Sequence, residues 1–135
     1  MHFKLASVLV LAATTTAHFV LQIPTDIGFD DDNEPQAPCG SFDPTNRTAG
    51  VTDWPSGGSS VQILTTHTQA LFQINAALLS DVNNWVPLWP LVQETGVGTF
   101  CWPDVPGIAN WVNQDGVLQV VMNGPDGILY QVSSA

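Results

Sequence analysis

"GVLQVVMNGPDGILYQV", residues 116 to 132, sets two β-forming runs on either side of Asn123-Gly124-Pro125-Asp126-Gly127. Glycine and proline at that density stop any helix, and flanking runs rich in Val, Leu and Ile read as strands. The segment therefore predicts a β-hairpin. A hairpin makes its two strands antiparallel neighbours.

Working outward, the same pattern recurs. Val61, Ile63 and Thr65 alternate with Gln62, Leu64 and Thr66, a strand that reaches His67. Phe72, Ile74, Ala76 and Leu78 alternate with Gln73 and Asn75; Ala70, Leu71, Ile74, Ala77 and Leu78 also fit a helical stripe, but the neighbouring strands favour strand here too. "GVGTFCWPDVPG" (96–107) reads as a short strand running into a proline loop, and "DVNNWVPLWP" (81–90) as turn-rich. Phe19, Leu21 and Ile23 form a first strand ended by Pro24. Between Pro24 and Ser60, five prolines and five glycines predict one long loop. Short strands with turn signals between them predict an all-β fold, an antiparallel sandwich with long loops.

The front of the chain is of another kind. Lys4, the apolar run Leu5–Ala13 and the small residues Thr15-Thr16-Ala17 have the three parts of a secretory signal peptide. The run is too short to span a bilayer, which takes roughly 20 apolar residues. The expected organisation is a signal peptide over residues 1–17 and one domain over 18–135. The expected location is secreted, extracellular or cell-wall, with no membrane insertion.

The chain carries 12 Asp and Glu against two Lys and Arg, a formal charge of −10. Cleavage after Ala17 would leave Arg47 as the single Lys or Arg. Such a surface repels nucleic acid and anionic membranes and attracts cations. Cys39 and Cys101 are the only cysteines, and in an oxidising compartment the simplest expectation is one disulfide between them. Closing a loop of that length would stabilise by on the order of 4 kcal/mol. Asn46-Arg47-Thr48 is an N-glycosylation acceptor.

Cleavage after Ala17 would also make His18 the first residue. A terminal histidine offers its α-amine and its ring Nδ1 to one metal ion, and a second histidine completes three nitrogens in a T. That set suits Cu(II). His18 and His67 are the only histidines left after cleavage. A chance terminal histidine and a hydrogen-bonded surface His67 form the competing reading. For an oxygen ligand, Asp30 or Asp31 in "GFDDDNEP" (28–35) is nearest in sequence, and Asp104 is a further possibility. A solvated loop or weak calcium site accounts for the acidic run equally well, although it lacks the spacing of an EF-hand loop.

"HFVLQIPTDIGFDDDNEPQAPCGSFDPTNRT" (18–48), "THTQA" (66–70), "GTFCWPDVPG" (98–107) and the 116–132 stretch together resemble the fungal copper-acquisition-factor, Bim-type family. These are secreted relatives of lytic polysaccharide monooxygenases (LPMOs). The resemblance covers essentially the whole chain after residue 17. It implies an immunoglobulin-like, LPMO-like β-sandwich with copper in a histidine brace made by His18 and His67, and an added aspartate such as Asp30 or Asp31. It also implies work in copper uptake, cell-wall processes or host contact, with a membrane copper importer or wall component as partner, and without oxidative cleavage of polysaccharide. Two competing functions are a copper-dependent polysaccharide monooxygenase, whose glycan would stack on some of the five tryptophans, and a metal-free secreted interaction protein. Val132 departs from the family pattern, since relatives often have cysteine there. So does the end at Ala135, without the serine-rich stalk and lipid-anchor signal of many members.

Overall fold

The computed structural model describes residues 18–125 and 127–135; the expected signal peptide lies outside them. Seven strands are present among the described residues: β1 (Phe19–Ile23), β2 (Ser59–Thr65), β3 (Gln69–Leu78), β4 (Val86–Thr95), β5 (Gly98–Val105), β6 (Gly116–Gly124) and β7 (Gly127–Ser134). They form two sheets, ordered β1-β2-β5 and β4-β3-β6-β7, and every pairing is antiparallel. This is the expected antiparallel sandwich. The 116–132 hairpin forms with Gly124 opposite Gly127 and Val117 opposite Ser134. The segment that also fitted a helix is strand β3, at the centre of the larger sheet.

The core lies between the sheets. Phe19, Leu21, Val61, Ile63, Trp102 and Val105 come from the smaller sheet and meet Phe72, Ile74, Leu118, Val120, Met122 and Leu129 from the larger. Phe72 sits edge-on to Phe19 at 5.9 Å between ring centres and tilted against Trp102 at 5.7 Å. Aromatic packing of this kind adds about 0.5–1.5 kcal/mol per pair beyond the area buried.

Two expectations are corrected. Residues 86–90 are not a turn but the start of β4, despite Pro87 and Pro90. β4 is an edge strand, where a missing N–H need not break a ladder, and its register against β3 shifts twice, around Ile74. Nor do Cys39 and Cys101 bond to each other; both thiols are free. Cys39 is buried on the outer face of the larger sheet with Val117 and Val132. Cys101 is exposed on β5, between the inward-packed Phe100 and Trp102. The core separates the two. Cys39 instead packs with Val132, the position at which the family pattern often has cysteine.

The long loop between β1 and β2 is pinned by hydrogen bonds. β7 is an edge strand, and the loop satisfies its open side: Ile27 N–H donates to Val132 O (2.8 Å), Tyr130 N–H to Glu34 O (3.0 Å) and Thr52 N–H to Ser134 O (2.9 Å). An edge covered in this way cannot recruit another strand. Gly40 permits the close approach, because it sits at φ +61° and a Cβ there would lie 2.5 Å from Tyr130 O.

Candidate metal centre

β1 begins at one end of the sandwich, and His18 stands just before it. The pairing of β1 with β2 continues one step beyond Phe19 and Thr65. His18 O accepts Thr66 N–H at 3.0 Å, and His18 N–H donates to Thr66 Oγ1 at 2.9 Å. The main chain of His18 is thereby fixed, and its ring is held against the loop.

The loop delivers two carboxylates to that ring. Glu34 Oε2 lies 2.9 Å and Asp31 Oδ1 3.3 Å from His18 Nδ1. Ligand atoms of His18, Asp31 and Glu34 all fall within 4.8 Å of one another. Asp31 is more than half exposed, whereas the Glu34 side chain is 1% exposed. Asp30 does not join them. Its Oδ1 accepts Asp32 N–H (3.1 Å) and its Oδ2 accepts Asn33 Nδ2–H (2.7 Å), so Asp30 folds the turn that presents Asp31 and Glu34.

Glu34 is held from behind by Gln131 on β7. Gln131 Nε2 donates to Glu34 Oε1 at 2.7 Å and also to Phe19 O, while Gln131 Oε1 accepts Leu21 N–H at 2.7 Å. One buried amide thus ties the edge strand of each sheet to the carboxylate. Burial pushes the Glu34 carboxyl above the usual carboxylate range; hydrogen bonds from Gln131 and His18 and the charge on His18 pull the other way, and the charge on Asp31 adds to the rise. A buried carboxylate of this kind favours a positive partner, either a proton or a metal ion. The proton between Glu34 and Nδ1 is the one a metal ion would displace.

His67 follows β2, one residue beyond Thr66. The competing reading placed His67 on the surface; the structure buries it, at 5% exposure. Its N–H donates to Thr65 Oγ1 at 3.1 Å, and its ring lies against Gly124 of the β6–β7 hairpin. A Cβ at Gly124 would stand 2.9 Å from the ring carbon Cε1 and 3.1 Å from Nδ1. His67 follows Thr66, the residue bonded to His18, but the 4.8 Å group among the described residues does not include it. Asp104 lies at the opposite end of the sandwich, beside Gly58. Glu34 was not singled out from the acidic run, because what marks it is its partner Gln131, 97 residues away.

The donor set is one imidazole and two carboxylates, with the backbone nitrogen of the same histidine beside them. Nitrogen and oxygen donors of this type suit a borderline divalent ion such as Cu(II) and carry no thiolate. Residues 16–132 match the family model described as copper acquisition factor, BIM1-like. An uncharacterized protein of Aspergillus fumigatus is 34% identical over 140 residues, covering 96% of this chain and 57% of that protein. The lytic polysaccharide monooxygenase-like protein X325 of Yarrowia lipolytica is 30% identical over 132 residues, covering 89% of this chain and 49% of that protein. The chain thus spans about half the length of these relatives.

Proposed function

The chain belongs to the BIM1-like copper acquisition factor family, and from that premise we propose that it is a secreted Cu(II)-binding protein whose site forms at a mature N-terminus, His18. Removal of residues 1–17 turns the His18 amide into an amine, which then has a lone pair to give. The amine and Nδ1 of His18 take the ion as a chelate, His67 supplies the third nitrogen of a histidine brace, and Asp31 and Glu34 supply oxygen. The observation that carries this reading is the convergence of His18 Nδ1, Asp31 and Glu34 within 4.8 Å.

The residues have separate tasks. Thr66 holds the His18 nitrogen in place, Gln131 holds Glu34, and the buried Glu34 charge draws a cation inward. Acid competes with copper for the amine, the imidazoles and the carboxylates, so binding weakens as pH falls. Release in an acid wall or at a membrane copper importer follows from the same competition. Asn46 is exposed and its Oδ1 accepts the Thr48 hydroxyl at 2.7 Å, which suits a glycosylated turn. No described helix is long and apolar enough to cross a membrane.

A copper-dependent oxidation of polysaccharide is the second reading, favoured by the name of the Yarrowia relative. Two carboxylates crowding the His18 ring weigh against the open position that such chemistry requires.

N-terminal sequencing of the secreted protein, expected to read His-Phe-Val, is the first test. The second is copper titration followed by electron paramagnetic resonance. One nitrogen-rich site is expected, lost in His67→Ala and in a protein carrying one extra residue before His18. Unchanged affinity in both variants would eliminate the brace. Oxidised sugars formed with reductant and peroxide would put the second reading first.

A further inference from the structure

The other end of the sandwich holds a pocket of about 900 Å³ that the copper reading leaves without a role. It lies about 25 Å from the His67 end, counting Gly116 to Gly124 along β6 at roughly 3.3 Å per residue. Its size falls within the usual range for small-molecule sites.

Two half-buried indoles line it, Trp54 from the long loop and Trp111 from the turn between β5 and β6. Trp54 packs against the core. Its indole N–H has no acceptor among the described residues. Trp111 stands in a turn tied by Trp111 N–H to Ile108 O (2.9 Å) and Gln114 N–H to Trp111 O (3.0 Å). The walls are locked together at Gly107, where a Cβ would lie 2.9 Å from Pro55 O and 3.2 Å from Trp54 Cδ1. Around the indoles stand the carboxylates of Asp53 and Asp115 and the amides of Asn113 and Gln114. Asp115 shares one oxygen with Arg47 at 3.5 Å, so Asp53 carries most of the unneutralised charge.

We propose that this pocket binds a short oligosaccharide of amino sugars, in the form of glucosamine units with free amines. The apolar faces of sugar rings lie on Trp54 and Trp111, the amides meet the hydroxyls, and the ammonium groups face Asp53, Asp115 and the indole π-clouds. An ammonium over a tryptophan face is attracted by the ring quadrupole. Charge complementarity selects the occupant: the chain carries −10, and its pocket sets carboxylates beside aromatic rings. A concave, walled site suits sugar rings better than an extended basic peptide. The site is independent of copper, since none of His18, Asp31, Glu34 and His67 lines it.

The test is titration of the protein with a glucosamine tetramer at pH 5.5, where the amines are charged, by calorimetry and by NMR of the labelled protein. The expected result is binding of the tetramer, at least about fivefold tighter than of its N-acetylated counterpart, with amide shifts centred on the pocket-lining stretches 51–56 and 107–118. Trp111→Ala should weaken binding by about tenfold, the equivalent of about 1.4 kcal/mol, and Asp53→Asn with Asp115→Asn should abolish the preference for the free amine. Copper titration should be unchanged in all of these variants, so failure here and failure of the copper reading are separable. No binding of either sugar, shifts centred on the His18 end, or equal affinity for tetralysine would overturn the proposal. The NMR map uses the unmutated chain and so decides the matter even if Trp111→Ala folds poorly.

Discussion

The two ends of the sandwich are built on opposite plans. At the His18 end the side chains are ionisable and closely spaced, with Glu34 buried against Gln131. At the Trp54–Trp111 end the side chains are aromatic and amide-bearing, the carboxylates are exposed, and about 900 Å³ is open. The first is arranged for a small ion of high charge and the second for an extended, neutral-to-cationic molecule. The same strands reach both ends, so one sandwich carries two kinds of chemistry about 25 Å apart. The loop from Pro24 to Gly58, laid along β7, supplies Asp31 and Glu34 to one end and Trp54 to the other.

The largest effect that would break this contrast falls on the terminus. One extra residue before His18 removes the free amine, and His18→Ala removes the ring. Each should lower copper affinity by more than about 100-fold, beyond the 10–100-fold typical of a lost supporting residue. Sugar binding at the far end should not change in either variant. Equal loss at both ends would mean that the ends are not independent.

Next comes Gln131→Leu. The substitution leaves Glu34 Oε1, Phe19 O and Leu21 N–H without their buried partner. The expected cost is about 3 kcal/mol, read as a fall in Tm of roughly 10 °C. Copper affinity should fall as well, because Glu34 loses its anchor.

Gly124→Ala is a finer probe of the same end. Its Cβ meets the His67 ring rather than backbone, and overpacking of that sort costs about 1–2 kcal/mol. If His67 is a ligand, copper affinity drops roughly tenfold as its ring is displaced; if affinity holds while stability falls, His67 is structural.

The smallest effect concerns the loop between the ends. Burial, aided by the charge of Asp43, pushes the Cys39 thiol from 9.0 up to about 11. The unfolded chain gives up this proton near its ordinary value, while the folded chain holds it to higher pH. Cys39 therefore makes stability fall as pH rises from about 9 toward about 11 and leaves it unaffected below that range. Cys39→Ala should flatten this slope in denaturant titrations. Thiol labelling of the native protein should reach Cys101 and spare Cys39, which reacts only on unfolding.

What the sequence disclosed follows contact range. The 116–132 hairpin was readable because its strands and turn are adjacent in the chain. The alternation of Val61–Thr65 and of Phe72–Leu78 was readable because each strand has one face in the core. β4 was hidden by Pro87 and Pro90, since a strand edge that tolerates proline is defined by what lies beside it, not by composition. The metal end was half legible. Acidic residues near His18 were visible as a run, but the division of labour among them was not: Asp30 folds the turn, Asp31 reaches the ring from solvent, and Glu34 is set by a glutamine on the last strand. The cysteine pairing failed for a similar reason, as two residues on opposite outer faces look no different in sequence from two that touch.

The bond from Gln131 to Glu34 has a consequence for timing. Glu34 leaves the ribosome early, and the amide that seats it comes 97 residues later. Until β7 docks, the acidic turn has no fixed place beside His18. The cation-holding geometry is therefore a late product of synthesis, and a partly made chain should leave copper alone.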